Sequence, residues 1–263
     1  KDRPEVQLAE QVAKAMFNKG VSLGALNRSE EAIRVYDDLI ALYKDRPEVQ
    51  LAEQVAKAMF NKGFSLGALN RFEDEIKVYD DLIDLYKDRP EPQLAESVAK
   101  AMFNKGVRLS VLKRYEEAEK VFRKLIEFKP DLTPAYTKLA ELLFKQPGRA
   151  KEAIQIAEEA VSMFPYDSVL LNAVAWAAYE YGSPSLLHEA EAWARSAVTI
   201  SPESSSIQHT LSSILIAVGK KNEALESAKK YIGDAAFVQQ TVEDAIQLFV
   251  EFAAAGYAKE ALA

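Results

Sequence analysis

The chain of 263 residues contains no cysteine and only two histidines. Without cysteine it cannot form a disulfide, a thiolate metal site or a cysteine nucleophile. His188 and His209 lie 21 residues apart, and neither has a nearby companion at the spacing of a metal-ligand pair. We therefore interpret both histidines as structural residues and expect neither a metal site nor a cofactor.

The common catalytic motifs are also missing. The sequence contains no G-x-S-x-G, H-E-x-x-H or G-x-G-x-x-G, and Gly219-Lys220-Lys221 lacks the preceding glycine of a phosphate-binding loop. The pairs Asp37-Asp38 and Asp80-Asp81 are adjacent carboxylates, but neighbouring residues on a helix point about 100° apart and do not converge. We interpret these aspartates as solvated surface charges and predict that the chain is not an enzyme.

Long apolar runs and an excess of positive charge are absent as well. No apolar run approaches the ~18 residues of a transmembrane helix, so we predict no membrane insertion. The net charge is −7, which is unfavourable for a nucleic-acid-binding protein. A chain that begins at a lysine within a repeat resembles an excerpt of a longer protein. The compartment is not determined by composition, although a cytoplasmic location is favoured.

The most informative feature that is present is a repeat. Residues 1–43, 44–86 and 87–129 are three copies of one sequence, and the first two copies differ at six of 43 positions. A fixed period of this length indicates one supersecondary unit stacked on itself, in which each copy buries the apolar face of its neighbour.

Each copy has the pattern of a helical hairpin. In the second copy, apolar residues recur at helical spacing from Leu51 to Leu69, and a second helical stripe ends at Tyr86. Asn70-Arg71 separates the two stripes. No segment alternates with a period of two, so the sequence predicts an all-α chain.

The start of the first helix has a recognisable signal. Asp45 and Glu48 have the spacing of a capping box, which places Pro47 in the first helical turn, where its missing N–H costs nothing.

These residues resemble the tetratricopeptide repeat (TPR), whose pattern is W-x₂-L-G-x₂-Y…A-x₃-F…P. The third copy matches it with Met102, Lys105, Gly106, Leu109, Ala118, Phe122 and Pro130. The resemblance implies a right-handed α-solenoid of stacked helix-turn-helix repeats. It divides the chain into three near-identical 43-residue repeats at 1–129, and into three divergent repeats of ordinary length plus a truncated seventh at 130–263.

The first three copies are longer than an ordinary TPR. The extra residues continue the apolar stripe of the first helix, so we expect about two additional helical turns. In this respect they resemble the long-repeat TPR-like arrays of bacteria.

Several positions carry expectations about packing. The mid-helix glycines Gly20, Gly63 and Gly106 predict close approach between the two helices of a hairpin. The lysines at the leucine position of the pattern, Lys19, Lys62 and Lys105, should pack their stems and direct their ammonium groups outward. Glu75 replaces the alanine of the other copies and should loosen its hairpin. Trp176 and Trp193 lie among alanines and should fill the space that small residues leave.

In TPR superhelices the first helix of each hairpin lines a concave groove, and the resemblance assigns one stripe per copy to that groove. Its candidate peptide-binding residues are Lys14, Phe17, Asn18, Lys57, Phe60, Asn61, Lys100, Phe103 and Asn104. Val21, Phe64 and Val107 continue the same stripe. An asparagine amide both donates and accepts, and can hold a peptide backbone without reading its side chains.

A plainer interpretation stands beside this one. Duplication copies every residue, useful or not, so the recurrence is not independent evidence. The three lysines also follow a glutamate four residues earlier, at Glu10, Glu53 and Glu96, which is sufficient to explain them as helix-stabilising pairs.

We predict a non-catalytic protein–protein interaction scaffold that binds an extended peptide or protein segment. Two alternatives remain open: a self-assembly module that stacks through its repeat ends, and a regulatory segment of a larger enzyme. Because the first copy lacks a polar cap, we also expect a homodimer through residues 1–43, with contacts at Leu8, Val12, Val35 and Tyr36.

Overall fold

The computed structural model describes residues 4–182 and 184–234, and these residues contain twelve α-helices, one short 3₁₀ turn and no strand. The all-α prediction is confirmed for this part of the chain. The truncated seventh repeat, predicted around Leu248 and Phe252, lies outside the described residues. The helices are α1 (Pro4–Ala25), α2 (Ser29–Tyr43), α3 (Val49–Ala68), α4 (Phe72–Tyr86), α5 (Pro92–Val111), α6 (Tyr115–Phe128), α7 (Thr133–Phe144), α8 (Ala150–Met163), α9 (Ser168–Tyr181), α10 (Leu187–Ile200), α11 (Ser205–Ala217) and α12 (Lys221–Asp234).

The chain divides into two compact units, Lys1–Pro130 (unit 1) and Asp131–Ala263 (unit 2). In unit 1 the hairpins α1–α2, α3–α4 and α5–α6 follow one another, and each first helix contacts both helices of the preceding hairpin. In unit 2 the hairpins α7–α8, α9–α10 and α11–α12 stack in the same way. Both units therefore consist of stacked helical hairpins, the architecture of an α-solenoid.

The long repeats differ from the short ones in their first helices. The first helices α3 and α5 contain 20 residues each, whereas α7, α9 and α11 contain 12, 14 and 13. The second helices of the six hairpins each contain 14 or 15 residues; they are α2, α4, α6, α8, α10 and α12. The extra residues thus lengthen the first helix by about two turns of 3.6 residues, as the sequence predicted.

The predicted capping box is wrong. Helix α3 begins at Val49 with Glu48 as its N-cap, and Pro47 lies before the helix and not in its first turn. Glu48 instead accepts a bond from Nη2 of Arg46 at 2.7 Å. A carboxylate held by a guanidinium two residues away is not directed at the backbone N–H groups of the helix, which explains why the capping arrangement does not form.

The turn between the two helices has the same backbone in all three repeats. Asn27, Asn70 and Lys113 adopt positive φ values of 58°, 59° and 60°. Asparagine tolerates this left-handed conformation better than other residues with a side chain, which accounts for it in the first two repeats. The third repeat places a lysine in the same strained position.

Mid-helix glycines bring the two helices of each hairpin together. A Cβ atom added at Gly63 would lie 2.5 Å from Cε1 of Tyr79, and one added at Gly106 would lie 2.7 Å from Cε1 of Phe122. Gly20 faces Tyr36 in the same way. No other residue type fits beneath these rings without displacement, so the predicted close approach is confirmed.

The lysines Lys62 and Lys105 do more than direct an ammonium group outward. Nζ of Lys62 lies 2.5 Å from Oδ1 of Asp37 in the preceding repeat, and Lys105 pairs with Asp80 in the same manner. Both aspartates remain about half exposed, in agreement with their interpretation as surface charges, but that interpretation was incomplete. Each of these aspartates is one partner of an ion pair that joins consecutive repeats.

Glu75 is buried, and it has a specific partner. Nε of Arg108 donates to Oε2 of Glu75 at 2.6 Å, and the guanidinium lies 4.3 Å from the centre of the Phe72 ring. Arg108 occupies the position of Ser22 and Ser65 in the other repeats. The sequence predicted that Glu75 loosens its hairpin, whereas the structure shows a cross-repeat ion pair at this position. Burial still raises the pKa of Glu75, and Arg108 opposes that rise.

Candidate functional site

The predicted groove residues lie on one face of unit 1, which we call the first-helix face. It consists of equivalent stripes on α1, α3 and α5, and α3 contacts both of the other helices, so the stripes lie side by side. Its residues are Lys14, Phe17, Asn18, Val21, Lys57, Phe60, Asn61, Phe64, Lys100, Phe103, Asn104 and Val107. The structure therefore brings the predicted residues together, but in unequal surroundings.

Three phenylalanines of the face, Phe17, Phe60 and Phe103, are half-buried. Each of them packs against an aromatic ring on the second helix of its own hairpin. Ring centroids are 6.3 Å apart for Phe17 and Tyr36 and 5.9 Å apart for Phe60 and Tyr79. The Phe103 ring makes an edge-to-face contact of 6.1 Å in the third hairpin. Such contacts stabilise the hairpin. These rings consequently act first as packing residues, and only part of each remains accessible to a ligand.

The asparagines do not form a uniform ladder. Asn18 is exposed, whereas Asn61 and Asn104 are half-buried. Nδ2 of Asn61 donates to the carbonyl oxygen of Lys57, one turn earlier in the same helix, at 2.9 Å. Asn104 lies beside the hydroxyl of Tyr79 and slightly opposes the burial that raises the pKa of that phenol to about 12. Each asparagine would therefore meet a peptide with a different hydrogen-bonding capacity.

The lysines of the face are all exposed, and two of them pair along their own helices. Nζ of Lys57 lies 4.0 Å from Glu53, and Nζ of Lys100 lies 3.6 Å from Glu96. Glu96 also accepts from Lys129, and this bond is the main reason that its pKa is lowered. Exposed pairs of this kind contribute only about 0.3–0.5 kcal/mol, so the ammonium groups remain available to an anionic partner.

The largest accessible apolar group of the face is Phe64, whose exposed fraction is 68%. Val21 on α1 and Val111 on α5 are exposed on the neighbouring helices. The sequence placed Phe64 on the stripe but could not distinguish it from Phe60. Both are phenylalanines of one helix face, and only the position of the second helix decides which ring is covered.

Comparison with known proteins identifies the repeats. Family models described as tetratricopeptide repeat match residues 17–90 and residues 99–132. Unit 1 is therefore built of tetratricopeptide repeats. Among curated proteins, no match to the chain was found.

Solved structures share the TPR fold at low sequence identity. PilW, a widely conserved type IV pilus biogenesis factor, is similar with a TM-score of 0.57 and 16% identity, covering 80% of this chain and 90% of its own. PilF of Pseudomonas aeruginosa is similar with a TM-score of 0.51 and 13% identity, and the coverage of both chains is the same as for PilW. A thermophilic TPR protein of Thermus thermophilus has a TM-score of 0.50 and 18% identity, and the match covers 76% of this chain and 98% of its own. At such identities the likeness concerns the fold alone.

The TPR fold is in general that of a protein–protein interaction scaffold, and TPR proteins are generally non-catalytic. In the part of the chain that the structure describes, no group of three or more histidines, aspartates and glutamates is arranged to hold a metal ion. None of the described helices combines the length and the apolar character needed to cross a membrane.

Unit 2 contains an aromatic cluster that the sequence did not predict as a site. The half-buried Trp176 ring lies 5.6 Å from His209 on α11 and 5.5 Å from Tyr179 on its own helix. Trp193, in contrast, is buried in the α9–α10 hairpin, as its alanine-rich surroundings predicted. His209 gave no signal in the sequence because its ring partner is 33 residues away.

The residues predicted for self-association separate into two groups. Leu8 and Val12 are exposed to 62% and 39% on α1, and Val35 is half-buried. Tyr36 is only 2% exposed and packs against Phe17 within its hairpin. The ring fills the space above Gly20 of the partner helix, so little of it is accessible to a second molecule.

Proposed function

We propose that this TPR protein binds an extended peptide segment of a partner protein on the first-helix face of unit 1. The observation that carries the proposal is the exposed Phe64 ring on α3, the middle helix of that face. A large apolar side chain that is accessible on a TPR surface, with exposed valines on the helices to either side, indicates an interaction site.

The position of Phe64 suits a ligand that crosses the helices. Because α3 lies between α1 and α5, a peptide that crosses the helices over Phe64 also passes Val21 and Val107, which occupy the equivalent positions of the two neighbouring helices. Burying these three side chains against apolar groups of the peptide would supply most of the binding free energy, since a few central residues usually dominate an interface.

The exposed lysines favour an acidic ligand. Lys14, Lys57 and Lys100 provide one ammonium group on each of the three helices, and each is exposed. A peptide with alternating apolar and acidic residues would satisfy both the apolar side chains and the lysines. The asparagines can donate to peptide carbonyls or accept from peptide N–H groups, although Asn61 must first release its bond to Lys57.

Selection from a displayed random-peptide library against the intact 263-residue chain tests this proposal. We expect the selected peptides to be rich in apolar and acidic residues and to lose at least about tenfold in affinity with Phe64→Ala. Leu42→Ala is the matched control, because Leu42 is also a large exposed side chain of unit 1 but lies on the second helix α2.

Two results would contradict the proposal. One is a set of selected peptides that bind Phe64→Ala and the native chain equally well. The other is a set whose binding is lost with Leu42→Ala and retained with Phe64→Ala. Loss of binding in the double variant Lys57→Gln and Lys100→Gln, together with a decrease of affinity in high salt, would support the acidic character of the ligand.

A further inference from the structure

The first-helix face presents equivalent side chains at one fixed interval. Residues 43 positions apart occupy equivalent places on α1, α3 and α5, so their side chains form rows that cross the three helices. The lysine row is Lys14, Lys57 and Lys100, the asparagine row is Asn18, Asn61 and Asn104, and the apolar row is Val21, Phe64 and Val107. The interval between neighbouring members of a row is the distance between adjacent first helices.

This interval selects the conformation of an extended ligand that crosses the helices. Helix α3 is in direct contact with α1 and α5, and packed helices lie about 8–10 Å apart. In a β-strand the side chains of one face recur every second residue, after about 6.6 Å, and do not stay in register with the rows. A polyproline II helix has three residues per turn and rises about 3.1 Å per residue, so every third side chain recurs after about 9.3 Å. Among these two extended conformations, polyproline II matches the interval.

We propose that the partner segment binds as a polyproline II helix with a sequence period of three, an inference that rests on the peptide-binding function proposed above. In each turn one residue is apolar and contacts the apolar row, one is acidic and contacts the lysine row, and the third faces solvent. Apolar and acidic residues of the ligand therefore alternate with a period of three and not of two.

The separation of the rows along each helix agrees with this division of the side chains. On α3, Phe64 follows Lys57 by seven residues, an axial distance of about 10.5 Å, and Asn61 lies between them. A polyproline II backbone over Asn61 directs its side chains outward at about 120° intervals, so that one set points towards Phe64 and another towards Lys57. Both targets are accessible, since Phe64 is 68% exposed and Nζ of Lys57 is exposed and lies 4.0 Å from Glu53.

The asparagine row suits the backbone of such a ligand. A polyproline II helix has no internal hydrogen bonds, so its carbonyl oxygens are available to the asparagine amides at every third residue. Nδ2 of Asn61 donates to the carbonyl oxygen of Lys57, and a ligand carbonyl would replace that acceptor. Proline at the solvent-facing position keeps its carbonyl oxygen and fixes φ near the bound value, which lowers the entropic cost of binding.

Synthetic peptides of equal composition test the period. Two peptides repeat Leu-Glu-Ser and Glu-Leu-Ser, which covers both directions across the helices, and a third alternates leucine with glutamate and has its serines at one end. Titration of the intact chain should give at least tenfold higher affinity for one of the period-three peptides than for the alternating peptide. Exchange of its serines for proline should increase the affinity further, because proline favours the polyproline II conformation.

Substitutions in the chain test the register of the bound peptide. Phe64→Ala should weaken the period-three peptide at least tenfold, whereas Leu42→Ala on α2 should leave its affinity unchanged. Lys57→Glu should also weaken it, and a peptide with lysine in place of its central glutamate should recover the affinity for that variant. Circular dichroism of each variant confirms that the helices are retained.

The outcomes separate this inference from the proposed function. If the alternating peptide binds as tightly as the period-three peptides and its binding is lost with Phe64→Ala, the period of three is overturned and the peptide-binding site stands. A loss of affinity on exchange of serine for proline would overturn the polyproline II conformation. If no peptide binds in a manner that depends on Phe64, the proposed function and the inference are both overturned.

Discussion

The junction between the first and second repeats and the junction between the second and third are built from nearly the same residues, yet they differ at one buried point. Both contain a lysine–aspartate pair, Lys62 with Asp37 and Lys105 with Asp80. At the first junction Ala32 is buried without a charge, whereas at the second its counterpart Glu75 is buried against Arg108.

The comparison shows that Glu75 in the second repeat and Arg108 in the third, which replace an alanine and a serine of the other repeats, form one interaction. Glu75 alone would be a buried carboxylate without a counter-charge, and Arg108 replaces a serine that has no such partner in the other repeats. The pair therefore distinguishes the junction between the second and third repeats from the junction between the first and second.

The largest expected effect comes from breaking this pair on the arginine side. Arg108→Ser restores the residue of the other repeats but leaves Glu75 buried and unpaired, and should decrease the free energy of unfolding by about 3 kcal/mol at neutral pH. The double variant Glu75→Ala and Arg108→Ser should recover most of this loss, since it recreates the first junction. Chemical denaturation of the single and double variants measures both values.

The pH dependence of the single variant follows from the direction of the pKa shift. Burial raises the pKa of Glu75, so the folded state favours the neutral carboxyl, and removal of Arg108 strengthens that preference. The deficit of Arg108→Ser should therefore be largest at neutral pH and decrease as the pH falls through the raised pKa. A deficit that is constant down to pH 4 would show that the loss arises from packing of the arginine stem.

A second, smaller effect compares equivalent glycines at the two junctions. A Cβ added at Gly24 meets nothing within 4 Å, whereas one added at Gly67 would lie 2.7 Å from Oε2 of Glu75. Gly24→Ala should be neutral or stabilising, and Gly67→Ala should destabilise by about 1 kcal/mol because the carboxylate must move. If thermal melts show the same change in stability for Gly24→Ala and Gly67→Ala, then the neighbouring Glu75 does not restrict the side chain at position 67.

A third prediction concerns the turn that distinguishes the third repeat. Lys113 has a φ of 60°, the conformation that Asn27 and Asn70 adopt in the other two repeats. Lys113→Asn should stabilise the protein by about 0.5–1 kcal/mol, because asparagine adopts left-handed φ at lower cost. Asn70→Lys is the reciprocal control and should destabilise by a similar amount in the same denaturation experiment.

The smallest effect at neutral pH is expected at the ring that packs on Gly63. Phe122 of the third repeat occupies the position of Tyr79, so Tyr79→Phe should change stability little at pH 7. Burial raises the pKa of Tyr79 to about 12, above the ordinary value of 10, so the native chain should lose stability as the pH rises from 10 towards 12.

The variant should lose less stability than the native chain over that interval, as unfolding followed at several alkaline pH values would show. Tyr36 and Tyr86 have pKa values raised to about 12 by the same cause and remain in the variant, so the alkaline transition should shift without disappearing. An identical alkaline profile in the two proteins would contradict the assignment of this titration to Tyr79.

Much of the fold could be predicted from local patterns. The hairpins, the lengthened first helices and the glycine contacts at Gly20, Gly63 and Gly106 follow from the 43-residue period and from residue spacing within a single helix. The candidate site was predicted less completely. Phe60 and Phe64 belong to the same stripe, but the first packs on Tyr79 while the second is exposed.

The sequence by itself determined the unit of this protein, because helical periodicity, turn asparagines and mid-helix glycines act within one hairpin and do not depend on neighbours. The tertiary structure alone decided the environment of each copy. Leu8 and Leu51 occupy equivalent positions of near-identical repeats, yet one is exposed to solvent and the other is completely buried. Burial is a property of the adjacent repeat, and so is the pairing of Glu75 with Arg108, which lie 33 residues apart on different helices.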